Sequence, residues 1–395
     1  MRVKLAVTVL VFCVAALLSL GLVMLYSSSM ADNGSRFIKV QLLWSALGLV
    51  ACVLAALLDY KLLKHLALPL LAVSVVLLAL VFVKPIGVHR NGASRWLGYH
   101  KTSLFQPSEI AKLALVVFLA WYGERYQRQM PTWKRGIVVP SLFIAVVLGL
   151  VFCEPDRGTT ILLAGVSAAM LLISGVRWRF IIPPLLLAAI GLAISLYRDP
   201  MRARRILSWW YLEENKSGVG YQAYEAMLAL GSGGWTGLGL GNGRQKLGFV
   251  PEKHTDFIFS IIGEELGLLA TALVIVGFIL LVLCGIYIAI RAPDTFGLLL
   301  GSGISFMIGL QAFINIGVVT SALPNKGLPL PFISYGGSNL LLMLTCVGIL
   351  LAIARQARDV EPVERNTVTN AGSRRRSRQN PFKTPAPDLA GPRTA

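Results

Sequence analysis

The sequence predicts an all-α polytopic membrane protein with about ten transmembrane helices, both termini in the cytoplasm and one large extracytoplasmic loop between the seventh and eighth helices. Three observations lead there. Of 395 residues, 55% are AVILMFWYC and 14% are charged, against about 25% charged in an ordinary globular chain. The apolar residues gather into runs able to cross the ~30 Å of a hydrocarbon core. Basic residues outnumber acidic ones by 37 to 19, a net charge of +18, which in so apolar a chain points to cytoplasmic loops and anionic headgroups rather than nucleic acid. The same figures exclude disordered, collagen-like and disulfide-scaffold classes.

The runs are Leu5 to Tyr26, Ile38 to Leu58, Leu66 to Val83, Ile110 to Tyr122, Ile137 to Phe152, Thr159 to Gly175, Phe180 to Tyr197, Phe257 to Ile290, Phe296 to Thr320 and Tyr335 to Ala354. The first follows Met1-Arg-Val-Lys4 and ends near Ser29-Met-Ala31, like a signal peptide. Its apolar core of about 22 residues exceeds the ~7–15 of a signal, so a retained helix is expected. Cys13, Cys52, Cys153, Cys284 and Cys346 each sit alone in or beside a run, with no paired spacing, and read as helix filler.

Orientation follows from short-loop Lys and Arg. An inside N-terminus places Arg2, Lys4, Lys61, Lys64, Arg125, Arg128, Lys134, Arg135, Arg177, Arg179 and Arg291 on the cytoplasmic side, ahead of an Arg-rich tail. Against this bias stand Lys84, Arg90, Arg95 and Lys101 in the outer loop after the third helix. Residues 1–355 read as the membrane domain, with 198–256 as its large outer loop. Residues 356–395, with Arg374-Arg-Arg-Ser-Arg378 and several prolines, read as a basic, disordered, membrane-tethering tail. A long loop in a compact protein is usually functional, so function is sought in the large outer loop.

The eighth run is too long for one crossing: Phe257 to Ile290 would make ~51 Å of helix at 1.5 Å per residue. A break is expected, and Gly263 and Gly267 flank Glu264 and Glu265 there. Polar groups at that depth are tolerated where buried in protein or lining a wet cavity, so this helix end is expected to border a cavity opening outward.

Carboxylates and cations collect at the outer boundary. In Pro251-Glu-Lys-His-Thr-Asp256 one carboxylate stands where the large loop meets a membrane helix. Two readings are open for Asp256: a helix cap, or a general base where a lipid-linked substrate presents its head group. Gln106-Pro-Ser-Glu109-Ile-Ala-Lys112 opens the fourth helix with Glu109 and Lys112 on one face. They read either as a surface ion pair or as an intramembrane cation facing a cavity or partner. Asp156, in Glu154-Pro-Asp156-Arg-Gly158, reads as a cap of the sixth helix, and Trp96, beside Arg95, as part of the interfacial aromatic belt. Together they offer the charges that a diphosphate-bearing substrate needs.

Gly231-Ser-Gly-Gly-Trp-Thr-Gly-Leu-Gly-Leu-Gly-Asn-Gly243 lacks the phosphate-loop pattern and reads as closely packed backbone. Leu323-Pro-Asn-Lys326-Gly-Leu-Pro-Leu-Pro331 reads as a stiff outer loop, and Gly336-Gly337 as a site of close helix approach. His65, His89, His100 and His254 show no zinc spacing. The S-x-x-K, S-D-N and K-T-G set of penicillin-type acyl transfer is missing.

Pro251-Glu-Lys-His-Thr-Asp-Phe-Ile-Phe-Ser-Ile-Ile-Gly-Glu-Glu-Leu-Gly267 and Leu328-Pro-Leu-Pro-Phe-Ile-Ser-Tyr-Gly-Gly-Ser338 resemble the SEDS family of cell-wall polymerases. Gln106-Pro-Ser-Glu109 and Arg95-Trp96 match the same pattern, and the likeness runs from about residue 5 to 355. Gly237-Leu-Gly-Leu-Gly241, Gln245-Lys-Leu247 and Ile261-Ile-Gly-Glu-Glu265 are more similar to the family's division members than to its elongation members. Where relatives carry Gln-Ser, this chain has Glu225-Ala226.

The resemblance implies a peptidoglycan glycosyltransferase of the cytoplasmic membrane that polymerises lipid II on the outer face during septal wall synthesis. It places the catalytic aspartate on Asp256 and the family's other polar positions on Lys112, Glu109 and Asp156. Arg95 and Glu264 join them as candidate substrate contacts. A divalent ion, Mg or Mn, would be an optional aid, and a class B penicillin-binding transpeptidase the partner. Alternatives are a lipid II flippase, an elongation-type polymerase and a binding-only scaffold of the division machinery.

Overall fold

The computed structural model describes residues 3–357 apart from 84–85, 91–92, 100–101, 199–203, 205–206, 212, 217, 219, 247 and 251. The tail beyond Ala357, and Lys84, His100, Lys101, Leu247 and Pro251, therefore lie outside the described residues, as do the side chains of His89 and Arg90.

Each of the ten apolar runs is helical. Helices α1 (Val3–Asn33), α2 (Arg36–Leu57) and α3 (Leu62–Leu80) come first, followed by α4 (Pro107–Arg125), α5 (Val139–Cys153), α6 (Arg157–Ile173) and α7 (Trp178–Tyr197). A shorter helix, α8 (Tyr221–Ser232), lies in the large loop. Three long helices follow: α9 (Ile258–Ile290), α10 (Thr295–Val319) and α11 (Gly337–Gln356). Among the described residues, eight helices are long and apolar enough to cross a membrane, not ten. The difference lies in α6, which has 17 residues, and in α4, which carries Ser108, Glu109 and Lys112. Helix α4 is buried along most of its length, so neighbouring helices rather than lipid surround its polar side chains.

The chain is not purely helical. The segment read as a plain loop after α3 holds a three-stranded antiparallel sheet, β1 (Gly87–Arg90), β2 (Ala93–Tyr99) and β3 (Thr102–Phe105), in that spatial order. Gly87 faces Leu97, and Leu97 faces Phe105.

Small residues set the closest helix approaches, as expected where lipid supplies no hydrophobic drive between helices. Helices α2 and α11 pack along their lengths, with Gly48 on Leu344 and Gly348 on the backbone of Cys52. Gly337 lies against the Trp44 ring. Segment 320–336 is the non-helical chain expected, but it is packed into the protein rather than lying on its surface. Leu328, Leu330, Phe332 and Ile333 are buried, and Gly21 of α1 abuts the Phe332–Ile333 backbone. Its prolines hold an extended chain inside the protein, where few residues are exposed.

The expected break in α9 is at Gly267, with φ 77° and ψ −175°. A continuous helix would join the Leu268 and Leu269 amides to the carbonyls of Glu264 and Glu265. Here Leu268 N–H donates to Gly234 O (2.9 Å) and Leu269 N–H to Trp235 O (3.3 Å), while the Glu264 and Glu265 carbonyls accept from Leu238 (2.9 Å) and Gly239 (3.0 Å). The glycine-rich loop is thus spliced into the helix break. Gly233 and Gly237 lie directly on the Gly263–Leu266 backbone, where a side chain would collide.

Candidate functional site

The polar boundary residues converge where α4, α6, α9 and α11 begin. Helix α4 starts with Pro107 after an extended Gln106, a residue order that suits a first turn. The Gln106 N–H donates to Ser338 Oγ of α11 (3.3 Å), and Gln106 Nε2 to Asp156 Oδ2 (3.4 Å). Asp156 caps α6 as the sequence suggests: Oδ1 accepts from Thr159 N (3.1 Å) and Oδ2 from Thr159 Oγ1 (2.9 Å).

Arg95 reaches this cluster from β2. Its Nη2 donates to Pro155 O (2.6 Å) and its Nε to Glu154 O (3.3 Å). The guanidinium therefore grips main-chain oxygens at the α5–α6 junction while lying in the field of the surrounding carboxylates. Glu154 is fully buried and neither of its carboxylate oxygens has a hydrogen-bond partner. Burial and the nearby Asp156 charge, opposed by Arg95, push its pKa up to about 8.

Asp256 is not a helix cap. The N-cap position of α9 falls on Phe257, and no side chain caps it. The half-buried Asp256 carboxyl lies over Gly327, where a Cβ would stand 2.7 Å from Oδ2. Burial, then the charges of Glu252 and Asp156, push its pKa up to about 7 against the pull of Arg95.

Its segment is tied down residue by residue. Lys253 Nζ donates to Lys246 O. His254 O accepts from Tyr335 N–H (2.9 Å), Thr255 O from Ser334 Oγ (2.6 Å) and Asp256 O from Asn315 Nδ2 (2.8 Å). Phe37 and Tyr335 pack their rings on His254.

Glu109 and Lys112 do pair, at 2.8 Å, but the pair is enclosed rather than on a surface. Lys112 Nζ also donates to Gln311 Oε1 (3.0 Å), and Asn339 Nδ2 to Glu109 Oε2 (3.0 Å). Gln311 Nε2 then holds Pro329 O (2.8 Å), and Asn315 bridges Asp256 O and Leu328 O. Lys112 and Asp256 are thus connected through α10 and segment 327–331.

Glu264 is placed elsewhere, with Oε1 accepting from the amides of Arg244 (2.6 Å) and Gln245 (3.0 Å). It secures the glycine-rich loop. The sequence reading missed Gln311, Asn315 and Asn339, and named Glu154 only as a boundary carboxylate in the Asp156 motif. The first two carried a usable signal, since amides four apart on an otherwise apolar helix share one face. Among the described residues no three His, Cys, Asp or Glu side chains form a metal-holding group.

Such an arrangement can do acid–base chemistry: a carboxyl whose pKa is raised to about 7 lies within the field of a guanidinium. The profile of the FtsW/RodA/SpoVE cell cycle proteins matches residues 8–359. A probable peptidoglycan glycosyltransferase FtsW of Geobacter metallireducens is 39% identical over 352 residues, covering 88% of this chain and 94% of that protein. Stage V sporulation protein E of Bacillus subtilis is 37% identical over 355 residues, covering 88% and 97%. Among solved structures, a peptidoglycan synthase complex that coordinates polymerization and crosslinking contains a chain with TM-score 0.72 and 29% identity, covering 88% of this chain and 96% of that one. The rod shape determining protein RodA of Thermus thermophilus gives 0.66 and 30%, covering 89% and 97%. With one profile spanning nearly the whole membrane domain and relatives this similar end to end, the chain belongs to the FtsW/RodA/SpoVE family.

Proposed function

We propose that this protein is a peptidoglycan glycosyltransferase that polymerises lipid II on the outer face of the cytoplasmic membrane, in septal wall synthesis. The observation that carries the reading is Asp256: a half-buried carboxyl at the mouth of a membrane helix, titrating at about 7 within the field of Arg95. The names borne by the relatives point the same way.

In this reading the acceptor's sugar 4-hydroxyl attacks the donor's anomeric carbon, with inversion. Asp256 takes the hydroxyl proton as the new glycosidic bond forms and the bond to the lipid diphosphate breaks. Arg95 balances charge as the diphosphate leaves. Asp156 fixes the α6 end of the cluster. Glu109 and Lys112 act through Gln311, holding segment 327–331 beneath Asp256. A Mg or Mn ion would enter on the diphosphate and take at most one or two carboxylates from the protein, as Mg²⁺ commonly does.

The solved complex that couples polymerization with crosslinking supports a penicillin-binding transpeptidase as partner, since the chain lacks acyl-transfer motifs of its own. A septal role rests on the FtsW and sporulation relatives, and a fluorescent fusion at midcell rather than sidewall tests it.

The deciding experiment is chain polymerisation of fluorescent lipid II by purified protein in detergent. Asp256→Asn is expected to insert normally and to lose at least the ~10²–10⁴-fold that a positioned base contributes. Wild-type glycan length from that variant refutes the assignment. A flippase would yield no glycan from either protein.

A further inference from the structure

A second buried charge cluster lies outside the proposed chemistry, where the glycine-rich loop enters the break in α9. Lys246 and Glu265 pair at 2.6 Å, and both are enclosed. Every ammonium proton of Lys246 has an acceptor, with Nζ donating to Glu265 Oε1, Ser27 Oγ (2.9 Å) and Gly241 O (2.8 Å). Glu265 also accepts from Ser27 Oγ of α1 at 2.7–2.8 Å and from Gly241 N–H at 2.9 Å. Three separate parts of the chain, α1, the glycine-rich loop and α9, meet in one fully satisfied knot.

Satisfaction matters because a buried pair contributes little stability by itself; apolar residues of similar size often do as well. Its value is directional, since each bond fixes an angle as well as a distance. What the knot directs is visible in the next link. Lys246 O, on the same residue as the buried ammonium, accepts from Lys253 Nζ, three residues before Asp256. On its other side the Asp256 segment is held by Tyr335, Ser334 and Asn315. Without the knot, the tether from Lys246 O to Lys253 would slacken.

We propose that Lys246 and Glu265 are positioning residues for Asp256, holding the carboxyl at its place over Gly327 by locking the glycine-rich loop to α1 and α9. The inference rests on Asp256 being the base. A misplacement of about 1 Å at a reacting group can cost ~10²-fold in rate.

The test uses the full-length protein in the same polymerisation assay. Lys246→Met/Glu265→Leu replaces both charges and leaves neither buried alone, so thermal stability should stay near wild type. Expected are a kcat at least about tenfold lower, KM within twofold, and an acid limb of the pH–rate profile displaced to lower pH as Asp256 gains water. Ser27→Ala removes a single hydroxyl and should give the same signature, smaller; it decides the question if the double variant does not accumulate. Wild-type kcat with an unmoved acid limb in the double variant, or in Ser27→Ala in its place, overturns the positioning role. Asp256→Asn runs alongside: if it also polymerises at the wild-type rate, the base assignment has failed, whereas its inactivity beside a fully active double variant condemns the positioning role alone.

Discussion

The acidity of Asp256 makes the proposed reaction testable without touching Asp256 itself. With a base titrating at about 7, the ionised fraction is about 9% at pH 6 and about 91% at pH 8, so the rate should rise roughly tenfold between them. After burial, the cause that raises this value most is Glu252, an exposed residue whose Oε2 accepts from Thr255 Oγ1 at 3.0 Å. Glutamine keeps that acceptor and removes the charge. An exposed charge pair is worth about 0.2–1 kcal/mol, and one pH unit corresponds to 1.36 kcal/mol, so Glu252→Gln should move the acid limb down by roughly 0.2–0.7 units. At pH 6 the variant should therefore polymerise up to about fourfold faster than wild type, and at pH 8 at nearly the same rate. Salt separates this from a conformational effect: near 1 M, where the screening length is ~3 Å, the two profiles should converge. The assay is glycan elongation from fluorescent lipid II in buffers spanning pH 5.5 to 8.5. An acid limb near 4, or a Glu252→Gln profile superimposed on wild type at low salt, refutes the electrostatic argument.

Three further outcomes follow from the same geometry. Because folding raises the Asp256 pKa above the ordinary carboxylate value, its contribution to stability is complete below about pH 4 and is lost as pH rises through about 7; Asp256→Asn should thus melt higher than wild type at pH 8 and equally at pH 4. Lys112→Ala leaves Glu109 enclosed without its cation, a loss of about 3–5 kcal/mol, to be read as a large drop in melting temperature in detergent; an unchanged melting point would mean that the pair is not buried in solution. Gly267→Ala puts a side chain at φ 77° against the Trp235 carbonyl, so the loop and helix break should come apart, seen as new protease cleavage within residues 233–246; an intact digestion pattern would remove the splice.

The sequence made the membrane architecture legible because apolar length is a strong signal: all ten runs are helices, and the overlong eighth one breaks at a glycine named in advance. Asp156 was legible for a similar reason, since a carboxylate before a helix has few better uses than the cap it makes. The same logic failed at Asp256, because helix starts shift by a residue or two and here the cap falls on Phe257. The sheet was missed because strands of four, seven and four residues carry too little alternation to stand out from a polar loop. Prolines and glycine mark segment 327–331 as a loop by composition; that its carbonyls are held by Gln311 and Asn315 is a tertiary fact. Glu264 looked like a cavity residue for want of knowing that the glycine-rich loop would bring two amides onto it.

The charge inventory of the site also bears on how an anionic substrate could enter it. Glu154 and Asp256 both lie in the fields of Asp156 and Arg95, and Asp256 also in that of Glu252; with every carboxyl ionised these acids would together repel a diphosphate. The raised pKa values of Glu154 and Asp256 relieve this: near neutral pH Glu154 is mostly protonated and Asp256 is about half so. In the proposed reaction a diphosphate bound there would add negative charge near Asp256 and strengthen its affinity for a proton at the stage when an acceptor hydroxyl must lose one. Mutual repulsion among these acids, which by itself favours opening the fold, therefore raises the basicity available to the reaction. Arg95, hydrogen-bonded to main-chain oxygens rather than to any one carboxylate, keeps its field directed at the whole cluster instead of being neutralised by one partner.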